Sequence, residues 1–346
     1  MKYQIDKQYL LDCFKTVADT PSPVGFYTLL NPVLEQLAAQ QGEAITYDRK
    51  STPYITLEGQ DNSKTVLVGA HSDTIGLIIR KIDANGWIRV RQMGGINYHS
   101  LEGETVTVHT RDGRSYTGLM ACQSHSVHVF DDARTMPRDE EHMMILLDEP
   151  VKSKADVNAL GIRNGDFVSI EPRVQVTPSG YLKSRFIDDK AAVACVFAAL
   201  KYMKDNGLKP KHKTLLAFPY YEEIGQGGVY VPPEVSEYVA IDIGLIGPDY
   251  DGNEHTVSIC AKDVKTTYDY ELVTRLVNYA EKAGCDYAVD VFYRYSTDAA
   301  ACAAVGNNVK AAAFGMPVYC SHGMERTHWD SLANTTNLIL AYLLDI

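Results

Sequence analysis

The chain has 346 residues, 45% of them hydrophobic and 22% charged, with a formal net charge of -11. That length suits two domains, or one large domain carrying an insertion, and the composition is ordinary for a soluble globular protein. The negative balance speaks against nucleic acid or an anionic membrane surface as the main partner. The opening MKYQIDKQYLLDCF lacks the unbroken apolar stretch of a signal peptide, and no segment approaches the ~20 apolar residues of a membrane span. Seven cysteines are scattered singly, none at the spacing of a zinc or redox motif. Free thiols in a reducing, cytoplasmic compartment are therefore expected.

In chain order, a first helix is predicted over residues 5–19, stopped by the prolines of TPSPVG, and a second over 27–40. Extended segments follow and end in the apolar run TVLVGA, which reads as a buried strand before His71. The texture then changes from about Ile75 to Pro172. IRKIDANGWIRVRQM and ETVTVHTRDGRSYTGLM alternate, with hairpin turns at Asn85-Gly86 and Asp112-Gly113, and DFVSI adds another strand. These segments predict a small β-rich, barrel-like domain over residues 75–172, inserted into a chain whose other domain comprises 1–74 and 173–346.

After Lys183 strands and helices alternate. DDKAAVACVFAALKYMKDNG is helix, with Gly207 as its C-cap, and KTLLAFPY and EYVAIDIG are strands. YDYELVTRLVNYAEKAG is helix, DYAVDVFYR strand, TDAAACAAVG helix and VKAAAFG strand, before a final helix in THWDSLANTTNLILAYLLDI. The fold class expected is α/β: a three-layer α/β/α domain around a central mixed sheet.

Metal-competent side chains gather at the predicted strand ends, where open α/β sheets bind ligands. In VGAHSDTIG, His71 is a natural metal ligand, and the Asp73 carboxylate can take its other N–H. HxD by itself fits a hydrogen-bonded loop equally well. In FIDDKAAVA, Asp188 and Asp189 precede an apolar helix. They serve either as an N-cap, or with one carboxylate bridging two cations and the other orienting groups around it. In FPYYEEIGQGG, Glu222 and Glu223 leave a strand in different directions, so one can bind metal while the other faces the attacking water as general base. Asp242 in VAIDIG needs a partner or a cation if buried. VYCSHGMERTHWD offers His322, with Glu325 and His328 behind it; His328 reads as a capping or contact residue. Together these residues supply what a dinuclear hydrolase needs: a bridging carboxylate, terminal ligands for each metal and a free base. His125 and His128, in the β insertion without a carboxylate motif, read as loop or interface residues, and Asp298 as a cap or a pocket residue.

With these motifs in this order, the chain resembles the tetrahedral aminopeptidase family, which includes glutamyl and deblocking aminopeptidases. TPSPVG, HSDTIG, GIRNGDFV, the IDD helix, EEIG, IDIG, STDAAA and SHGMER carry the resemblance along nearly the whole chain. It implies a metal-dependent aminopeptidase that removes the N-terminal residue of short peptides with two divalent ions per subunit, zinc or cobalt or else manganese. Asp188 would bridge the ions, His71 and Asp242 would complete one shell, and Glu223 and His322 the other. Glu222 would be the general base, and Asp73 the carboxylate behind His71. The insertion would be a dimerisation domain, from which the family builds twelve-subunit hollow particles. The chain departs from the family pattern at Lys190, usually Arg, at Ala191-Ala192, at Gln226 and in GMERTH, none of which removes a ligand. Other readings keep the site but change the substrate, to an N-acyl-amino-acid deacylase or carboxypeptidase, or keep the fold as a silent assembly protein.

Overall fold

The structure is a computed structural model that describes residues 2–346. The chain divides into two compact units, one formed by residues up to Asp73 together with Arg173–Ile346, the other by Thr74–Pro172.

The first unit opens with α1 (Lys7–Ala18), whose N-terminus is capped by Asp6 accepting the Tyr9 N–H. α2 (Leu30–Gln40) begins three residues later than its apolar pattern suggests, with Pro32 in its first turn, where a missing N–H costs nothing. Three strands follow: β1 (Ile45–Tyr47), β2 (Pro53–Leu57) and β3 (Asp61–Gly69).

The second unit then forms a closed barrel of six strands, β4 (Gly76–Ile82), β5 (Ile88–Met93), β6 (Thr105–His109), β7 (Ser115–Cys122), β8 (Met143–Leu147) and β9 (Phe167–Ile170). They close in the order β4-β5-β8-β7-β6-β9, all antiparallel, with a short helix, α3 (Lys154–Ala159), between β8 and β9. Leu77, Val90, Val106, Val108, Met120, Ile145 and Val168 are fully buried in it. The β4–β5 turn needs Gly86 because its φ is +89°, a region that L side chains avoid.

Back in the first unit come β10 (Gln175–Val176), β11 (Tyr181–Ser184), α4 (Ile187–Asp205), β12 (His212–Ala217), β13 (Val235–Ile241), β14 (Gly244–Leu245) and β15 (Val257–Lys262). α5 (Tyr270–Ala283), β16 (Tyr287–Val291), α6 (Asp298–Ala304), β17 (Lys310–Gly315), β18 (Pro317–Val318), β19 (Glu325–His328) and α7 (Trp329–Leu344) complete it. Its main sheet has the order β1-β2-β12-β3-β13-β17-β15-β16 and is mixed. β12, β3, β13 and β17 run parallel as neighbours, while β2 pairs antiparallel with β12 and β15 with β17.

The pleat sends successive side chains of β3 to opposite faces. Val66 and Val68 enter the larger core, with α1, α2, α4, α5 and α7, and Leu67 enters the smaller one, with α6. The three-layer architecture is present, with one helix layer far thicker than the other. α4 is apolar all round because it lies buried between α1, α7 and the sheet (Val193, Phe197 and Leu200 among its buried residues). Among the described residues no helix is long and apolar enough to cross a membrane.

Candidate metal centre

Parallel order brings the carboxyl ends of β12, β3 and β13 side by side, and the chain delivers a ligand-bearing segment from each. His71 follows β3 by two residues, and Asp242 directly follows β13, its N–H donating to the Phe314 carbonyl at 3.1 Å. β12 stops at Ala217 rather than running through Tyr220. Pro219 has no N–H for a ladder, and its carbonyl accepts the Ser72 N–H at 2.7 Å instead. Glu222 and Glu223 therefore sit on a 3₁₀ turn, Glu222–Ile224, past the strand end. Asp188 and Asp189 have non-helical backbone at the start of α4, so they do not cap it in the ordinary way. His322 lies in a turn with a φ of +62°.

These side chains meet. Nε2 of His71 is 3.0 Å from Oδ1 of Asp188 and 3.7 Å from Oε2 of Glu222. Nε2 of His322 is 3.4 Å from Oδ2 of Asp188 and 3.4 Å from Oε2 of Glu223. The two oxygens of Asp188 thus face different histidines. His71, Asp189 and Asp242 converge within 4.8 Å, as do His71, Asp188 and Glu223. The Glu222 side chain is 13% exposed and that of Glu223 is 3%, so Glu222 is the member of the pair turned toward solvent.

A polar shell holds the cluster, and most of it was hidden in the sequence. Nδ1 of His71 bonds to the Asp73 backbone carbonyl at 3.0 Å, with the Asp73 carboxylate at 3.5 Å. That carboxylate instead accepts the N–H groups of Glu222 and Glu223, at 3.1 and 3.2 Å, and so fixes the turn they occupy. Glu325 does the same across the site, accepting the N–H groups of Asp188 and His322 at 3.0 and 3.1 Å. Asp189, read as a neighbour that orients other groups, accepts the His71 N–H at 3.1 Å. The buried Lys190 ammonium donates to Ser22 Oγ, which donates to the Ser72 carbonyl, at 2.6 and 2.7 Å. The Tyr295 hydroxyl is buried beside Asp242 without a hydrogen-bond partner. Asp298 accepts the Gly228 N–H at 2.7 Å, under the glycine loop that follows Glu223. His125 and His128 lie in the connection after β7 in the barrel unit, where His125 packs edge-on against Phe130.

Burial pushes the carboxyls of Glu223 and Glu325 up to about 8 and that of Asp242 up to about 7. His322 moves up to about 10: burial disfavours its charge, but Glu223 and Asp188 outweigh that. His71 moves up in the same way, through Asp188 and Asp73. Oδ1 of Asp189 is buried without a hydrogen-bond partner. A buried set of carboxylate oxygens and imidazole nitrogens with too little cationic charge of its own fits divalent metal ions.

The same shifts predict a pH dependence. Each of these raised groups binds more protons folded than unfolded somewhere between about pH 4.5 and 10. His109, pushed down by burial to about 4, and Lys190, pushed down to about 7, act in the opposite sense but are outnumbered, so metal-free protein loses stability as pH rises through that range. Asp188, held below the usual carboxylate range, acts only at more acid pH. The metal-free Tm should be higher at about pH 5.5 than at about pH 8. Bound metal should shrink the difference. A metal-free Tm that climbs with pH over this interval would contradict the buried-carboxylate account.

Gly315 marks a second constraint, because a Cβ there would lie 1.4 Å from the Asp242 carbonyl oxygen. Gly315→Ala should destabilise the protein by about 3 kcal/mol. Denaturant unfolding in the presence of metal measures this, and a loss below ~0.5 kcal/mol would contradict the close approach.

A three-layer α/β/α unit with this donor cluster at its strand ends, plus an inserted barrel, defines a metallopeptidase. The chain belongs to the M42 glutamyl aminopeptidase family, whose model matches residues 52–338. It is an aminopeptidase, a peptide-bond hydrolase that works with divalent metal ions. It is 38% identical to YhfE of Bacillus subtilis over 335 residues, 96% of either chain. Among solved structures it is similar to the aminopeptidase APDkam598 of Desulfurococcus kamchatkensis, with a TM-score of 0.88 and 23% identity over 98% of this chain and 96% of that one. It is also similar to the TET1 peptidase of Pyrococcus horikoshii, with a TM-score of 0.84 and 23% identity over 97% of this chain and 100% of that one.

Proposed function

We propose that this aminopeptidase binds two divalent ions per subunit, shared by Asp188, with His71 and Asp242 completing one site and Glu223 and His322 the other. The observation that carries this reading is that Asp188 turns one oxygen to each histidine, at 3.0 and 3.4 Å. When bound, such ions supply Lewis acidity and lower the pKa of a water they hold. Glu222, beside His71 and the more solvent-facing of the glutamate pair, takes a proton from the water that attacks the carbonyl carbon of the first peptide bond. It then delivers that proton to the departing amine nitrogen as the C–N bond breaks. Asp73 keeps Glu222 in place through its backbone, and Asp189 and Glu325 hold the backbones of the ligands. The carboxylate-rich surroundings favour a substrate with a free α-ammonium group, which directs cleavage to the N-terminal residue of short peptides.

Zinc or cobalt is proposed, with manganese as the alternative, because imidazole and carboxylate ligands discriminate little among the three. The unbridged cysteines agree with a reducing, cytoplasmic setting. The barrel unit is proposed as the dimerisation element of a homo-oligomer, and the P. horikoshii TET1 peptidase, which assembles into a tetrahedron or an octahedral shell, has the same fold. Sedimentation of the purified chain tests that assembly, and a monomer at micromolar concentration would rule it out.

The site itself is tested by dialysing the protein against a chelator and assaying aminoacyl-p-nitroanilides while zinc, cobalt or manganese is returned. Activity that recovers as metal approaches two equivalents, with N-blocked substrates left uncut, is the expected result. Recovery complete at one equivalent overturns the shared site. Cleavage of N-acyl amino acids in place of free-amine substrates would instead favour a deacylase.

A further inference from the structure

A second group of ligand atoms lies where β19 runs into α7, and it shares no residue with the catalytic cluster. His255, His328 and Asp330 place Nδ1, Nδ1 and a carboxylate oxygen together. Nδ1 of His255 is 2.9 Å from Oδ2 of Asp330, Nδ1 of His328 is 3.1 Å from the same oxygen, and the two imidazole rings lie 4.3 Å apart. A tetrahedral shell with bonds of ~2.0–2.1 Å has ligand-to-ligand edges of about 3.3 Å, so the two nitrogen-to-oxygen separations need little adjustment, and the three ligand atoms all lie within 4.8 Å of one another.

The tautomer of His328 suits a ligand. Its Nε2 lies 2.8 Å from the Ser179 carbonyl oxygen, which can only accept, so Nε2 carries the hydrogen and Nδ1 keeps its lone pair. That is the arrangement metal-binding histidines show, with the far N–H given to a carbonyl. Nδ1 of His328 then points its lone pair at the carboxylate of Asp330, two acceptors side by side, with the Asp330 backbone N–H at 3.1 Å as its present partner. His255 gives its Nδ1 hydrogen to Asp330, a proton that a metal would displace. Tyr181 stands edge-on to both imidazoles and walls one side. The His255 and Asp330 side chains are 47% and 46% exposed, so an ion could enter directly and keep water as its fourth ligand.

We propose that His255, His328 and Asp330 form a third divalent-metal site, open to solvent and suited to borderline ions such as zinc, nickel or copper. The competing backbone N–H makes it weaker than the catalytic pair. The site stands whether or not the catalytic roles proposed above hold.

The test is equilibrium dialysis against rising free Zn²⁺, with bound zinc counted by mass spectrometry in wild type, His255→Ala and Asp330→Asn. Asp330→Asn keeps the backbone N–H that His328 caps, so it protects the test if His255→Ala folds poorly. Wild type should take up one equivalent more than either variant, with at least ~10-fold weaker uptake of that equivalent in both. Activity at catalytic metal loading should be unchanged in His255→Ala. One equivalent of Cu²⁺ added to enzyme holding two equivalents of zinc should give a copper resonance split by two imidazole nitrogens in wild type and by fewer in His255→Ala. Identical zinc counts and affinities in all three proteins, or a copper signal without nitrogen splitting, overturns the proposal.

Discussion

Glu222→Gln should lower kcat at least ~100-fold while leaving metal content and thermal stability near wild type. Glutamine keeps the shape of the side chain and loses only its ability to take up a proton. The backbone of the turn is held independently, because the Asp73 carboxylate bonds to the N–H groups of residues 222 and 223, whatever side chain they carry. In the metal-free protein, burial raises the Glu222 pKa well above the usual carboxylate value, and the charges of Asp242, Asp298 and Glu223 add to the rise, against the opposing pull of His71. The contrast is Glu223→Gln, whose side chain faces His322 from a buried position and whose loss should show first as missing metal. Rates are read at saturating metal, with occupancy measured on the same samples. A Glu222→Gln enzyme within a few-fold of wild type would assign the proton transfer to another group.

What the sequence disclosed and what it hid divide along a physical line. Local pattern was enough for the buried strand before His71, for the hairpins at Gly86 and Gly113 and for the apolar helix after Asp189, because periodicity and turn chemistry are short-range. Four of the five candidate ligands were legible because His71, Glu223 and Asp242 stand just past the end of an apolar strand and Asp188 before an apolar helix, where an unpaired carboxylate or imidazole needs a reason, whereas His322 lies in a turn. The boundaries were less legible. β12 was read through to Tyr220, but Pro219 ends it and the glutamates ride a 3₁₀ turn instead. The contacts of the supporting polar shell were not legible, although Asp73 was expected behind His71 and Asp189 as a neighbour that orients other groups. Asp189 reaches the His71 N–H across 118 residues of sequence, Glu325 reaches Asp188 across 137, and Asp73 reaches Glu222 across 149. No spacing rule connects such positions; the signal that could have found them is an acidic residue within three positions of a candidate ligand, as Asp73 is of His71, Asp189 of Asp188 and Glu325 of His322. Asp73 itself was expected behind the imidazole, whereas its carboxylate mainly holds the opposite turn.

The sharpest test of a shared carboxylate compares two substitutions that each remove one negative charge. Asp242→Asn alters a residue grouped with His71 and Asp189, on one side of the cluster. Asp188→Asn alters the residue whose two oxygens face His71 and His322. Asparagine retains one acceptor oxygen and presents an NH₂ where the other stood, so it turns donor hydrogens toward one of the two sites. Removing an outer partner of a metal ligand costs ~10–100-fold in metal affinity, and a ligand common to both ions should exceed that range for both at once. At a metal concentration that just saturates wild type, Asp242→Asn should retain close to one equivalent and Asp188→Asn close to none. Activity should fall in both, by more in Asp188→Asn. Equilibrium dialysis with metal counting decides the matter independently of turnover. If Asp188→Asn keeps one equivalent as Asp242→Asn does, Asp188 serves a single ion, and the bridge must be sought in Asp189 or in Glu223.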